Sequence, residues 1–583
     1  MAKRWHVHPH DPDRIEGLSR AARIPAVVAQ LLICRKICDP AQALDFLDPK
    51  LASLSDPEQL PGCSQAAARI QAAIAAGKRI VIYGDYDVDG MTGTAILWLC
   101  LKLLGAEVSY YVPHRLEEGY GLNVEAVRTL ASNRAALIVT VDCGIASLEP
   151  VAVARELGVD VVVTDHHEPG PELPAAAAVV HPRLPGGVAC CANLSGAGVA
   201  FKLAWALCQQ AQGAKKVSPR MRDFLVQAMG LAAMGTVADM VPLVDENRTL
   251  VRHGLVSLSR QPTLGVATLV RVAKLDGKRQ LDSDDVAFAL APRLNAAGRL
   301  GQPQLAVELL VTDRAERANE LAQYIDQLNA SRQTLERSIF LAANKQAKED
   351  FDPETHAALV LADRGWHAGV IGIVAGRLVE KYHRPVVLIS WDQLGVKPGV
   401  GSARSVPGFN LHEALRACSA HLVAHGGHEA AAGLKIEEQQ LEQFRAEFCQ
   451  YASLRLTDEQ RVAELRIDAE VPLGGFTAQT VEQMEKLAPF GRGNARPLLC
   501  TTEVTLAEPP RTMGGGARHL SMRLSQHGVT LRAVAFGGAD WAEPLAHLRG
   551  PIDVAFRPVI NAFRGQRNVE LQVVDWRESG VNL

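Results

Sequence analysis

Paired cysteines are missing from this 583-residue sequence. Eleven thiols are scattered from Cys34 to Cys500 with no Cys-x-x-Cys spacing, which argues against a disulfide framework and leaves no zinc-ligand pair. Long apolar runs are missing too: nowhere do about 18 apolar residues stand together, so no membrane span and no membrane partner are expected. The opening Met1-Ala-Lys-Arg-Trp-His lacks the apolar heart of a secretory leader, and the expected location is the cytoplasm. Positive charge is wanting as well. A net charge of −3 excludes a basic coat for nucleic acid, although a local basic channel stays open. Gly77-Lys78-Arg79 lacks both the Ser or Thr after Lys and the spaced preceding glycine of a nucleotide phosphate loop. No repeat or low-complexity tract occurs.

What is present is a globular composition, 48% hydrophobic and 21% charged, on a chain long enough for roughly three or four domains. Between about 66 and 182 short β-rich runs (Val81 to Tyr83, Val108 to Val112, Ala136 to Val141, Val159 to Thr164, Ala178 to Val180) alternate with helical stretches such as Thr92 to Leu104. That alternation predicts an α/β fold with a parallel sheet. The first strand ends in Gly-Asp85-Tyr-Asp87-Val-Asp89-Gly. Carboxylates at every second position repel one another unless a cation sits between them, so a divalent metal is one explanation and an acidic turn capping the next helix the other.

Three more clusters fall at strand or helix ends: Val-Asp142-Cys-Gly144, then Asp165-His166-His167, then Val-Ala-Asp239-Met-Val-Pro242. Neutral imidazoles suit a transition metal better than magnesium. Each has a plain alternative: Asp142 a turn residue, Asp165 a helix N-cap, Asp239 a helix terminator. Four such events in one α/β domain make a shared site the better account.

In this order the four stretches resemble the motifs of the DHH phosphoesterase superfamily, and later stretches narrow the resemblance to the RecJ family of single-strand-specific 5′→3′ DNA exonucleases. The resemblance runs from about residue 45 to the C-terminus. It departs from pyrophosphatase relatives, which carry a His four residues before a metal-binding Asp; Tyr83 stands there, with Asp85 a substitute ligand. The resemblance implies metal-dependent hydrolysis releasing mononucleotides, with Asp85, Asp87, Asp89, Asp142, His166 and Asp239 holding two divalent ions. Mixed carboxylate and imidazole ligation favours Mn2+ over Mg2+. His167 would orient these groups or donate to the scissile phosphate. A single-strand-binding protein and a helicase are the implied partners, in recombination and mismatch repair. The rivals are a phosphodiesterase of cyclic dinucleotides or short RNA and a non-catalytic single-strand-binding scaffold.

Further along, Ala291-Pro-Arg293-Leu-Asn295-Ala-Ala-Gly298-Arg299 suits a phosphate or backbone clamp, or else a solvated loop. A long charged helix is predicted from Asp313, with Leu321, Ile325, Leu328, Leu335 and Ile339 on one stripe. A second α/β domain follows. Its glycine-rich helix start at His367, the pair Ser402 and Arg404, and the glycine-flanked His428 make a plausible anion pocket, and these stretches resemble the DHH-associated domain. From about 455 short alternating strands predict an OB-like barrel. No Lys occurs after Thr501; Arg523, Arg532, Arg564 and Arg567 are candidates for phosphates, and Phe490, Phe536, Phe556 and Phe563 for stacking on bases. The expected partition is an N-terminal helical segment (1–60), a DHH domain (61–300), a connector helix (301–350), a DHH-associated domain (351–452) and an OB-like domain (453–583).

Overall fold

The computed structural model describes residues 3–115, 118–352, 356–457, 459–563 and 566–580. The chain divides into two compact units. The first takes in Asp56–Asp239 and His253–Ala463; the second takes in Lys3–Ser55, Met240–Arg252 and Glu464–Leu583.

The first unit opens with a parallel sheet of β1 (Ile80–Gly84), β2 (Val108–Tyr111), β3 (Leu137–Val141), β4 (Asp160–Thr164) and β5 (Ala178–Val180). Their order is β2-β1-β3-β4-β5. β1 and β3 are buried at every residue, as a parallel sheet covered on both faces demands, and so they read as continuous apolar runs. Val81, Tyr83, Ile138, Val161 and Val163 form one core with α2 (Val124–Ser132) and α3 (Leu148–Glu156). The helices α1 (Val88–Leu103), α4 (Gly196–Gln212) and α5 (Pro219–Ala238) pack on one another and on β1 and β3. Strand order reverses between β1 and β3, and their C-terminal ends are where such sheets keep their ligands.

Residues 291–299 are not a loop. They form α6 (Ala291–Arg299), entered through a π-helical turn at Val286–Leu290. Pro292 falls inside a helical run continuous from Ser283, and its missing N–H is accommodated where the π turn gives way to α-helix. The long helix is α7 (Ala315–Asp350), 36 residues and about 54 Å. Its apolar stripe serves two cores: Ala318, Leu321 and Ile325 are buried at one end, while Ile339, Ala343 and Ala347 join Leu359, Val370, Val374 and Leu388 at the other. Between these ends the stripe turns polar, with Asn329 and Arg332 buried.

The second α/β module comprises β6 (Leu359–Asp363), α8 (Ala368–Tyr382), β7 (Val386–Ser390), β8 (Gly399–Arg404), β9 (Ala424–Gly427) and β10 (Ala431–Ile436). Its sheet order is β9-β10-β8-β7-β6, with β6 and β7 parallel and the other pairs antiparallel.

In the second unit the strands Leu499–Leu506, Ile552–Phe563, Gln566–Glu578, Val529–Ala535 and His519–Gln526 pair in that order. A further pairing of Leu499–Leu506 with His519–Gln526 closes them into a barrel. The N-terminal residues, expected as a segment of their own, belong to this unit. Arg4–Val7 pairs in parallel with Glu464–Ile467, and Val28, Leu31 and Leu32 from the apolar helix Ala26–Cys34 share the barrel's core with Leu520, Val554 and Phe556. No single helix among the described residues is long and apolar enough to cross a membrane.

Candidate active site

The tips of β1, β3 and β4 and the end of α5 bring the acidic clusters together. Asp87 caps α1, accepting from the Asp89 N–H at 2.9 Å and the Gly90 N–H at 3.1 Å. Asp89, fully buried, accepts from the N-terminus of α4: the Gly196 N–H at 2.6 Å and the Ala197 N–H at 3.0 Å. Asp142 follows β3 with φ 63°, a left-handed conformation uncommon outside glycine and a sign of local strain at a functional turn. Asp239 ends α5 as its C-cap. The turn and terminator readings of these two residues are therefore correct, and compatible with a place in the cluster.

Ligand-type atoms of Asp85, Asp87 and Asp142 all lie within 4.8 Å of one another, as do those of Asp89, His166 and Asp239, and those of Asp142, His166 and His167. His166 Nε2 stands 3.1 Å from Asp142 Oδ1, 3.6 Å from Asp239 Oδ2 and 3.9 Å from Asp89 Oδ2. Burial pushes the Asp89 carboxyl up to about 7, helped by the Asp87 charge, and holds Asp85 and Asp142 well above the carboxylate range. Burial, with His167 beside it, pushes His166 down to about 3, so its imidazole is neutral. Three buried atoms here, Asp85 Oδ1, Asp142 Oδ1 and His166 Nε2, have no hydrogen-bond partner. Crowded carboxylates, a neutral imidazole lone pair and unpaired buried acceptors are the donor set of a divalent cation. Backbone approaches this cluster so closely that a Cβ on Gly196 would lie 2.5 Å from Asp142 Cβ, and one on Gly235 2.5 Å from Asp89 Oδ1.

Asp165 has a different task from the N-cap weighed for it. No helix follows; instead it accepts from the Ile145 N–H at 2.9 Å, the His166 N–H at 2.7 Å, the His167 N–H at 3.1 Å and His167 Nδ1 at 2.8 Å. It thereby ties the turn after Asp142 to the backbone of both histidines and to the His167 ring. Burial opposes a charge on His167, but Asp165 outweighs it and lifts the ring to about 9. Tyr120, absent from the sequence-based set, donates to the Asp142 carbonyl at 3.1 Å and lies 2.9 Å from His167 Nδ1. Tyr83 is no ligand: it is buried, donates to the Gly121 carbonyl at 3.0 Å and stacks on Tyr111.

A basic cluster adjoins the acidic one. Arg299 of α6 donates to the Gly369 carbonyl at 3.2 Å, and burial together with Arg115, Arg332 and Arg404 pulls its guanidinium down to about 10, while Asp87 opposes that shift. Arg404 on β8 donates to Ser402 Oγ at 3.2 Å. Gly372 of α8 comes so close that a Cβ there would lie 2.8 Å from Ser402 Oγ and 3.0 Å from Arg404 Nη2. His367 caps α8 through the Gly369 N–H at 3.1 Å. Glu336 pairs with Arg332 at 2.6 Å, and gathering the other three guanidinium groups costs energy that a bound anion offsets. Arg115, stacked 4.9 Å over Tyr86, and Arg332, whose buried Nε has no partner, escaped the sequence reading.

The other candidates are placed differently. Asn295 accepts from the Val88 N–H at 3.2 Å and so fixes the head of α1. Arg293 is engaged within the scaffold by Asp326 at 2.9 Å and the Ala289 carbonyl at 2.8 Å. His428 is exposed between β9 and β10. In the barrel Phe490 and Phe556 are core, not platforms, whereas Phe536 is exposed beside His519. Arg523 and Arg532 face each other across paired strands, and Arg532 lies 3.3 Å from Glu570; Arg567 pairs with Glu482 at 2.8 Å. Arg564 and the Phe563 side chain lie outside the described residues.

A parallel sheet that gathers carboxylates and one imidazole at its reversal point defines a DHH-type domain. Residues 79–235 match the model of the DHH family N-terminal domain, residues 355–454 that of the DHHA1 domain and residues 467–575 that of the RecJ OB domain. Among curated proteins, the single-stranded-DNA-specific exonuclease RecJ of Bacillus subtilis is 36% identical over 574 residues, covering 98% of this chain and 70% of that one. RecJ of Thermus thermophilus is 39% identical over 534 residues, covering 91% and 73%. The crystal structure of Thermus thermophilus RecJ in complex with Mn2+ superposes with a TM-score of 0.83 at 35% identity, covering 99% of this chain and 80% of that one. The chain belongs to the RecJ family.

Proposed function

We propose that this chain is a divalent-metal-dependent exonuclease of single-stranded DNA that works 5′→3′ and releases mononucleotides. The observation that carries the reading is the convergence of Asp85, Asp87, Asp89, Asp142, His166 and Asp239, with three buried acceptor atoms left unpaired. The relative solved with Mn2+, and another Thermus thermophilus RecJ structure solved with Mg2+, support both ions, with Mn2+ favoured by the neutral imidazole. These residues would hold two such ions, which would supply an activated water and charge neutralisation at the leaving oxygen.

The residues of the chain do the rest. Asp87 and Asp89 are aimed by the ends of α1 and α4, so their oxygens need no rearrangement. Asp165 holds a proton on His167, which places a cationic donor beside the scissile phosphate. Arg299, Arg404, Ser402 and the head of α8 grip the terminal 5′-phosphate, which sets polarity. Asn295 positions the head of α1; His367 shapes the pocket wall, while Arg293 and His428 line the strand's approach. In this reading residues 61–300 perform the chemistry, 301–350 space the two α/β modules, 351–452 hold the 5′ end and 453–583 bind the strand. Work in the cytoplasm beside a single-strand-binding protein and a helicase, in recombination and mismatch repair, is part of the same proposal.

The test is digestion of 5′-phosphorylated single strands and duplexes with Mn2+, for the native chain and Asp87→Ala. Loss of cleavage with retained strand binding is expected; a variant that digests at the native rate overturns the metal assignment.

A further inference from the structure

The π-helical turn that feeds α6 carries the feature the proposed chemistry does not use. Phe288, at its centre, is 79% exposed, while Val286 and Leu290 on either side are fully buried. The turn is therefore anchored, and it presents the ring to solvent. Single π turns inside helices are frequent at functional sites, and here the turn sits just before Pro292, which has no N–H to donate. Phe288 has no ring or cation partner among the described residues. Of the nearby carboxylates, Asp285 lies 2.6 Å and Asp282 3.5 Å from Lys278, while Asp284, one turn before Phe288, is exposed, so the strand is to be held here by stacking and not by charge.

Its place along the helical run supplies a scale. Arg299, in the basic cluster, and Asn295, which holds the head of α1 beside Asp87, are four residues apart, about 6 Å along the axis. That is the length of one nucleotide step in an extended strand, the distance from a terminal phosphate to the next. Phe288 lies seven residues further back, about 10 Å, between one and two additional steps. We infer that Phe288 is a positioning residue on which the base of the third nucleotide from the 5′ end stacks, so that α6 and its π turn measure the strand against the metal centre. This rests on the exonuclease proposal above. Stacking on an aromatic face is tolerant of sequence and unavailable to a base that remains paired in a duplex, so the same ring favours single strands.

The experiment places 2-aminopurine singly at positions 1 to 5 of a 5′-phosphorylated 20-mer, bound to the Asp87→Ala protein so that no cleavage occurs. Quenching is expected to peak at position 3 and to vanish when Phe288→Ala is added. In the otherwise native chain, Phe288→Ala should lower kcat/KM on the 20-mer about ten-fold, Phe288→Trp should restore it, and a 5′-phosphorylated dinucleotide should be cut equally by all. A quenching peak elsewhere, an unchanged peak in Phe288→Ala, or equal losses on the dinucleotide overturns the inference. A native chain that leaves the 20-mer uncut instead removes the exonuclease proposal, an outcome visible before any Phe288 variant is compared.

Discussion

Asp165 is the residue whose removal has the most legible consequence. Its Oδ2 accepts from the Ile145 N–H, and its Oδ1 from the N–H groups of His166 and His167 and from His167 Nδ1. Ile145 and His166 are buried, so alanine at position 165 strands two donors that water cannot reach. At about 1–3 kcal/mol for each stranded donor the loss is about 2–6 kcal/mol, a large share of a typical domain's stability. Asp165→Asn keeps an acceptor for the histidine N–H groups but turns its amide donor toward the Ile145 N–H, so one donor is stranded and the loss is about 1–3 kcal/mol.

Both variants also free His167, which should fall from about 9 toward its ordinary value near 6.5. A histidine raised by folding stabilises the folded state fully below its unfolded pKa, and that contribution is shed as pH rises through the folded value. The stability gap between native and variant protein, both metal-free, should therefore be widest below pH 6.5 and narrow above pH 9. The assays are urea denaturation at several pH values and titration of isotopically labelled histidines by NMR. Variants within about 1 kcal/mol of the native chain, or a His167 that still titrates near 9, refute the anchoring role.

Asp89 makes a pH prediction of the same sign in a lower window. Its carboxyl is raised to about 7 from an ordinary value of 3.8, so the metal-free protein should lose stability as pH climbs between these values, and added Mn2+ should bind more tightly over the same range. Thermal melts in EDTA and in Mn2+ from pH 5 to 8 check this, and a metal affinity that ignores pH refutes it. Gly196→Ala, whose new Cβ would lie 2.5 Å from Asp142 Cβ, should weaken Mn2+ binding at least about ten-fold by calorimetry, because it displaces Asp142 and shifts the N–H that holds Asp89. Arg404→Gln should raise KM for 5′-phosphorylated strands and leave 5′-hydroxyl strands unaffected in a steady-state assay; equal effects on both refute the phosphate pocket.

The acidic cluster was legible because its members stand at strand and helix ends, where a short apolar run stops and a carboxylate follows. Asp165 stands at such an end too, yet its bonds go to three backbone N–H groups and the His167 ring, and one residue's position does not reveal who its partners are. The partner of Arg293 was hidden for the same reason: Asp326 lies on the neighbouring helix, 33 residues on. Pro292 and Gly298 made 291–299 look like a loop, although the π turn before Pro292 accommodates its missing N–H and Gly298 is small because the Tyr86 carbonyl lies where its Cβ would be. Arg115 and Arg332 approach the site from a turn and from a helix middle, places without a motif. The apolar faces of the N-terminal helices are plain in the sequence, but the barrel strands they cover are more than 400 residues away, beyond any local pattern.

A rod whose two ends are each built into a hydrophobic interior has no slack to give. Since α7 is part of the core at Leu321 and Ile325 and again at Ile339 and Ala343, the gap between the two α/β modules can widen only if one of those interiors melts. On heating, the preference for single strands over duplexes should persist up to the melting transition and disappear with it in a single step.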